Sequence, residues 1–546
     1  MWKKFEEKYE SILDSNLLNK ILWMNGITSK EKYEELLSND YFPFDINVEG
    51  FINKIDYILE NNKRVVVVGD YDVDGVCATS IMVKFLNSLN IDTKWILPNR
   101  FIDGYGLKRP LVDKAFNLGC DVIITVDNGI KSKDAIAYAK EKGIDVLVTD
   151  HHQPDLDNIP NDVEIINPHY QNEHLKFKEI CGASVAYICA RNYYLRTNKG
   201  NEKLLLEMEE LTSIATIADV MPLYKGNRKM IKKFIRRVKT NSIYNLGLLS
   251  LLEVAKVNVK SFNSEDMGYI IGPMLNAPGR LKTADIGVEL FLSKNEEIAK
   301  ENAKLCYEFN QMRKDETHSL KSQVEINSED LVHVVKFENA NEGLIGIIAG
   351  DITEETGRPS FVFTKTHSGN YKGSGRSPLN YNLIEGADRV LKNHPELTLG
   401  YGGHSGAMGI TLVDEDSVRR FQILMNADYN KQSVKEMDRN YIFFHKEKDS
   451  FEKICNEMQT LEPFGEGLMQ PIFQTFGFPN FIKDLGKGSA FSLATDSGKY
   501  LNFARFREKV DKGFQVIYFT LKKELYNEKT YFKGYVEDMS LYKKPK

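Results

Sequence analysis

The stretch Val65-Val-Val-Val-Gly-Asp-Tyr-Asp-Val-Asp-Gly75 constrains this chain more than any other. Four valines run into Asp70, Asp72 and Asp74, three acids at alternate positions. A short β-branched run bounded by turn residues reads as a buried strand. A buried strand that ends in clustered carboxylates has to neutralise their charge, and a divalent cation does so most simply.

Two further runs repeat the pattern. Asp121-Val-Ile-Ile-Thr-Val126 ends in Asp127-Asn-Gly129, and Asp145-Val-Leu-Val-Thr149 ends in Asp150-His151-His152. Residues 78–89, 111–118 and 133–142 carry helical patterns between these runs. Strands alternating with helices predict βαβ units and a parallel sheet. Right-handed crossovers then set all strand C-termini on one edge, where open α/β sheets bind ligands. A turn or helix cap rich in Asp and Gly accounts for any one cluster. Three of them after consecutive strands point to one site.

Length and composition bound the rest. A chain of 546 residues has room for three or four domains, and 42% hydrophobic with 27% charged residues is ordinary for a globular protein. No apolar run reaches the ~20 residues that span a bilayer. The start, Met1-Trp-Lys-Lys-Phe-Glu-Glu-Lys8, has no apolar core, so a signal peptide is not expected and a cytoplasmic protein without membrane attachment is. The six cysteines are scattered without a CxxC pair, which fits reduced thiols better than disulfides or a zinc ribbon. A net charge of −5 argues against a uniformly basic nucleic-acid binder but leaves room for a local basic track. Residues 225–239, with Arg228, Lys229, Lys232, Lys233, Arg236 and Arg237, read either as such a track or as a solvated helix face.

Five regions are expected. Residues 1–50 read as short helices anchored by Trp2, Phe5, Ile12, Leu17 and Ile21, and 51–225 as the α/β domain. Residues 226–325 read as a helical connector whose charged stretch 296–322, without Gly or Pro, forms one long helix. A second α/β unit over 326–428 holds two Gly-rich loops, Lys372-Gly-Ser-Gly-Arg-Ser-Pro378 and Gly400-Tyr-Gly-Gly-His-Ser-Gly-Ala-Met-Gly409. Short β-like runs over 429–546 suggest a small barrel of the OB type, with a β-sandwich as the alternative.

Asp72, Asp74, Asp127, His151, His152 and Asp219 make a mixed carboxylate and imidazole set that suits Mn²⁺, Mg²⁺ or Zn²⁺. Two such ions roughly 3.5–4 Å apart share a bridging carboxylate and activate hydroxide against phosphorus. Asp127, on a central strand, is the natural bridge, and hydrolysis of a phosphoester or phosphoanhydride is the matching chemistry. His152 reads as a neighbour of the scissile phosphate or as a structural histidine. Asp150 reads as an orienting group for a ligand histidine or as a turn cap, and Asp70 as support behind the ligands.

The ordered motifs Gly69-Asp-Tyr-Asp-Val-Asp-Gly75, Val126-Asp-Asn-Gly129, Asp150-His-His152 and Ala218-Asp-Val-Met-Pro-Leu223 resemble the DHH phosphoesterase superfamily. Gly402-Gly-His-Ser-Gly-Ala-Met-Gly409 looks like the signature of its associated substrate-binding domain. Asn276-Ala-Pro-Gly-Arg-Leu281 and Leu461-Glu-Pro-Phe-Gly-Glu-Gly467 are similar to elements of the RecJ-type exonucleases, so the likeness runs over residues 20–540. The resemblance implies a processive exonuclease that removes mononucleotides from the 5′ end of single-stranded DNA in repair and recombination. It implies one or two Mn²⁺ or Mg²⁺ ions, one held by Asp72 and Asp127, the other by Asp74, Asp127, His151 and Asp219. His152 would contact the attacked phosphate. Asp74, Asp127, His151 and His152 then form the catalytic set of a monomer that works with a helicase and a single-strand-binding protein. Many superfamily members carry a histidine four residues before the first metal-binding aspartate. Val68 stands there in this chain, which implies a weaker first metal site.

The substrate side follows from residue chemistry. Glycines let backbone N–H groups approach a phosphate, which draws attention to Gly403 and His404 in one loop and to Ser374 and Arg376 in the other. Arg280 and Arg100 are further phosphate candidates, since a guanidinium matches phosphate bidentately. Each arginine reads equally as an ion-pair residue. Tyr105 reads as a base-stacking ring or as ordinary packing. Two other functions remain open at this point. One is a DHH phosphodiesterase for short oligoribonucleotides, nucleotide bisphosphates or cyclic dinucleotides, and the other is a non-catalytic DNA-binding scaffold.

Overall fold

The computed structural model describes residues 2–5, 11–37, 45–100, 102–432, 434, 439–506, 508–526 and 529–541. Of the residues named above, Met1, Glu6, Glu7 and Lys8 lie outside that set. The valine run forms the expected strand, Val65–Val68, fully buried. It lies in a five-stranded sheet of order Thr93–Ile96, Val65–Val68, Val122–Val126, Asp145–Thr149, Glu164–Ile166. Every neighbouring pair is parallel. Alternate valines explain why the strand tolerates no water on either face. Val65 and Val67 join the core under helices Val73–Ser88 and Gly182–Thr197. Val66 and Val68 join the core under helices Arg109–Asn117 and Lys133–Glu141. A sheet covered on both faces needs such continuous apolar strands. The acidic clusters therefore emerge at the edge formed by the C-terminal ends of these strands, beyond the two covered faces.

The connector packs against this edge. Its helices Gly272–Leu281 and Asp285–Leu292 lie on the 26-residue helix Glu296–Lys321, which matches the single long helix expected and spans about 39 Å. Close approach explains two glycines. A Cβ on Gly279 would meet the Tyr71 carbonyl oxygen at 2.7 Å, and one on Gly287 would meet the Val76 side chain at 2.8 Å.

The second sheet runs Thr398–Gly403, Ala407–Leu412, Tyr371–Arg376, Ser360–Lys365, His333–Phe337. The two Gly-rich segments expected as loops are strands within it. Gly373 and Gly375 are small because rings pack on them: an added Cβ would lie 2.3 Å from Phe363 and 2.5 Å from Phe361. The other segment is a hairpin, Thr398–Gly403 with Ala407–Leu412, turning at residues 404–406.

The C-terminal β-rich region forms one hydrogen-bonded sheet of eight strands. Its ladders run in open order from Trp2–Lys4 and Arg439–Phe443 through to Asn480–Asp484, and none among the described residues joins the two ends. The N-terminal segment is not helical throughout. Trp2–Lys4 is a strand parallel to Arg439–Phe443, and Leu18, Ile21 and Leu22 of helix Asn16–Met24 share the core of the C-terminal sheet. Apolar anchors in the sequence could not show which distant partner they pack on. All six cysteines are free and buried, as expected of reduced thiols. Among the described residues, no helix is long and apolar enough to cross a membrane.

The basic stretch forms helix Lys225–Lys239, but much of it is structural. Arg228 is 2% exposed and donates to the carbonyls of Leu461, Glu462 and Pro463 at 2.6–2.9 Å. Lys233 and Arg237 pair with Glu209. Arg228 thus ties the connector to the segment leading into the C-terminal sheet. Arg228→Met should cost about 2–4 kcal/mol by orphaning buried carbonyls, read as a lowered denaturant midpoint. Arg228→Lys should not restore it, because one ammonium cannot replace the guanidinium fork.

Candidate metal centre and its cleft

After Val68 the backbone turns at Gly69, and Asp72 caps the next helix by accepting from the Gly75 N–H at 3.0 Å. Asp74 falls in the first turn of that helix and is 2% exposed. Both of its oxygens are held: Oδ2 accepts from Gly182 N–H at 2.6 Å and Oδ1 from Ala183 N–H at 2.7 Å. The N-terminus of helix Gly182–Thr197 therefore points at this carboxylate, and its dipole favours the charge. Asp127 follows its strand in the left-handed region, φ 61°, a conformation that Asp tolerates better than most residues. Next to it, Asn128 donates to the carbonyls of Val68 and Val126, stitching the two central strands together where the acids begin. Asp219 ends helix Glu202–Ala218 and completes the group from the far side.

The acids and imidazoles converge as expected. His151 Nε2 lies 3.2 Å from Asp127 Oδ1 and 3.7 Å from both Asp74 Oδ2 and Asp219 Oδ2. Ligand atoms fall within 4.8 Å of one another in each of three sets: Asp127, His151, His152; Asp74, His151, Asp219; and Asp70, Asp72, Asp127. Asp127 belongs to two sets, which is the position of a bridge. Asp70, expected behind the ligands, places a carboxylate oxygen within the same distance of Asp72 and Asp127. Val68, where the superfamily histidine would stand, is buried and packs with the core beneath helices Arg109–Asn117 and Lys133–Glu141.

The residues present fit a divalent cation. The Oδ1 atoms of Asp70 and Asp127 and Oδ2 of Asp219 are buried without a hydrogen-bond partner. Orphaned buried acceptors facing each other are costly unless a cation joins them. Burial and then mutual repulsion push Asp70 and Asp127 well above the usual carboxylate range, and Asp219 up to about 9. Burial lowers His151, which leaves a neutral imidazole with a lone pair to offer.

His152 is set differently. Its Nδ1 lies 2.8 Å from Asp150 Oδ1, which also accepts the backbone N–H groups of His151 and His152, while Asp150 Oδ2 accepts from Ile130. Burial pushes Asp150 up, but the His152 hydrogen bond and the two imidazoles outweigh it and hold the acid at about 2. Burial opposes charge on His152 too, yet Asp150 raises it to about 9. Asp150 thus holds the His152 ring and the backbone N–H groups of His151 and His152, where the sequence reading had it orient a ligand histidine or cap a turn. The Tyr105 hydroxyl lies 3.1 Å from His152 and donates to the Asp127 carbonyl at 3.2 Å, while its ring stays 45% exposed.

Across the cleft, guanidiniums gather. Burial first, and then the charges of Arg100, Arg313 and Arg376, lower Arg280 to about 9. Arg280 donates to the Gly343 carbonyl at 3.0 Å, and Arg100 lies 4.1 Å over the Tyr71 ring. Arg376 donates to Ser374 Oγ at 2.9 Å. Four like charges from the α/β domain, connector and second sheet are held together, an arrangement that suits an anion. His404 is exposed in its turn, where its Nδ1 accepts the Gly406 N–H. Gly403 leaves no room for a Cβ against Ala407 and Met408. No described contact joins Gly403 or His404 to the arginines. Sequence reasoning missed Arg313, which carries no local signal on a charged helix. It also missed the Gly182-Ala183 anchor, although a Gly opening an apolar helix is a recognisable anion-binding pattern.

Comparisons with known proteins agree with this architecture. The family model described as "DHH family, N-terminal domain" matches residues 64–217, and that of the "DHHA1 domain" matches residues 329–431. The single-stranded-DNA-specific exonuclease RecJ of Haemophilus influenzae is 30% identical over 483 residues, covering 85% of this chain and 84% of that protein. RecJ of Escherichia coli is 32% identical over 428 residues, covering 74% and 73%. The crystal structure of Thermus thermophilus RecJ in complex with Mn²⁺ aligns with a TM-score of 0.79 at 25% identity, covering 97% of this chain and 76% of the other.

Two outcomes test the centre. With Asp219 at about 9, the cation-free protein carries its proton at pH 7, so a divalent cation must displace it. Calorimetry in buffers of different ionisation enthalpy should register release of at least one proton, diminishing as pH approaches that value. A Cβ at Gly182 would lie 2.6 Å from Asp127 Cβ and Oδ1. Gly182→Ala should therefore weaken divalent-cation affinity roughly 10–100-fold, seen by titration on protein whose circular dichroism is unchanged.

Proposed function

The chain belongs to the RecJ family of single-stranded-DNA-specific exonucleases, and from that premise we propose that it hydrolyses single-stranded DNA from the 5′ end to mononucleotides with Mn²⁺ or Mg²⁺. One observation carries the reading. A buried set of acids and imidazoles sharing Asp127 and His151 lies within electrostatic reach of a cluster of arginines, with Arg100 acting on Asp70 and Asp72 acting on Arg280. Cations supply Lewis acidity and a deprotonated water at neutral pH. In this assignment Asp72, Asp74, Asp127, His151 and Asp219 are ligands, with Asp70 added by its place beside Asp72 and Asp127. The helix N-terminus at Gly182 keeps Asp74 from turning away. Asp150 aims His152 at the attacked phosphate. Arg100, Arg280 and Arg376, with Ser374, hold backbone phosphates, and Gly403 and His404 reach the strand from the hairpin of the second sheet.

Strand selectivity follows from the cleft. A flexible strand can bend between the α/β domain and the second sheet, whereas a stiff duplex cannot. A groove of about 780 Å³ on the C-terminal sheet, where Lys446, Lys483, Lys499 and Lys533 stand with Phe481 and Tyr500 but also with Glu447, Asp449, Glu452 and Glu524, would offer a single strand a further surface of cations and rings. We place this monomer in cytoplasmic DNA repair and recombination, where a helicase and a single-strand-binding protein would present its substrate.

DNA labelled at either end tests the proposal, with duplex DNA and short RNA for comparison. Loss of label should be fastest from the 5′ end of single strands with Mn²⁺ or Mg²⁺ present. Asp127→Asn and Asp74→Ala should slow it by roughly a hundredfold or more while DNA binding persists. Activity confined to di- and trinucleotides, or a preference for RNA, would sink the assignment.

A further inference from the structure

Beside His152 lies a second cavity of about 380 Å³ that none of the clustered arginines lines. Its walls are residues 105–109 and 129–135, the loops after two strands of the parallel sheet, and its floor is formed by Asp150 and His152. Lys108, Arg109, Lys131 and Lys133 line it, against one free acid, Asp134. Asp150 contributes little free negative charge, because four donors already occupy its oxygens. Lys108 and Lys131 are exposed and have no carboxylate within ion-pair distance among the described residues. Lys133 donates to the Asp157 carbonyl, and Arg109 stacks on Tyr138, so neither is neutralised.

The rest of the lining mixes apolar side chains with the polar Ser132 and Asn158. Leu107, Ile130 and Ala135 are buried, and the exposed Tyr105 ring stands at the mouth. Two helices begin at the walls, Arg109–Asn117 and Lys133–Glu141, and neither has a side-chain acceptor at its cap, which adds partial positive charge. Cations beside apolar side chains call for an amphiphilic anion. A free phosphate would use only the cations, and a nucleoside only the apolar part.

We propose that this cavity binds a nucleoside 5′-monophosphate, the product of the exonucleolytic reaction, with its phosphate toward Lys108 and Lys131 and its base toward Tyr105. The site adjoins the metal centre through His152, so occupancy there would hinder turnover without occupying the arginine cluster. This inference rests on the reading of the chain as a nuclease that releases mononucleotides.

Thymidine 5′-monophosphate titrated into the full-length chain with Mn²⁺ during degradation of labelled single-stranded DNA should inhibit, and more strongly than inorganic phosphate or thymidine alone. In the double variant Lys108→Ala, Lys131→Ala the inhibition constant should rise roughly tenfold, with KM for DNA and thermal stability unchanged. An unchanged inhibition constant, or equal inhibition by inorganic phosphate, overturns the proposal and leaves the nuclease reading standing. If the wild type degrades no DNA, the nuclease reading fails. Calorimetric binding of thymidine 5′-monophosphate to wild type and double variant then decides the cavity by itself, with equal affinity counting against it.

Discussion

The arrangement of the molecule depends on holding several carboxylates together away from water. Asp70, Asp74 and Asp127 are each about 2% exposed, a density of acid that repels itself and resists ionisation. The protein meets part of that cost with backbone N–H groups. Both oxygens of Asp74 sit on the N-terminus of helix Gly182–Thr197, and Gly182 gives Asp127 the space it needs. What the backbone leaves unpaired, a cation must satisfy. Stability of the apo protein and affinity for metal are therefore two expressions of one electrostatic balance.

The same logic explains why the connector and second sheet close over the edge of the first. Gly279 lets the connector reach the backbone of Tyr71, and Arg280, one residue on, donates to Gly343 at the start of the next α/β unit. The guanidinium cluster thus exists only because three parts of the chain are pinned at the mouth of the acidic centre. Negative and positive sets then lie within electrostatic reach of each other, as the effects of Arg100 on Asp70 and of Asp72 on Arg280 record.

Much of this was legible in residue order. Valines leading into alternating aspartates announced both a strand buried on two faces and the edge where its charges emerge. Repetition at Asp127 and at His151 located the rest of the centre, because parallel strands bring their C-termini together. Charge without Gly or Pro over residues 296–321 announced the long helix. The glycines misled. In Lys372–Pro378 and Gly400–Gly409 they read as loops, while in the fold both segments enter strands and Gly373 and Gly375 make room for Phe363 and Phe361 inside a sheet. A glycine reports that something comes close, and the sequence does not say whether that is a ring, a backbone or a ligand. The basic helix misled in the same way, since Arg228 spends its charge on buried carbonyls.

By itself the sequence determined which acids and imidazoles gather and along which edge they line up, since period-two burial and the handedness of crossovers are local rules. Contacts between distant segments were decided only by the tertiary structure. They bring Gly182 and Ala183 to Asp74, set Arg313 beside Arg280, join the Trp2–Lys4 strand to Arg439–Phe443, and wall a second cavity beside His152. Such contacts are chosen by the shape and charge left over after each segment has folded, and no local pattern records them.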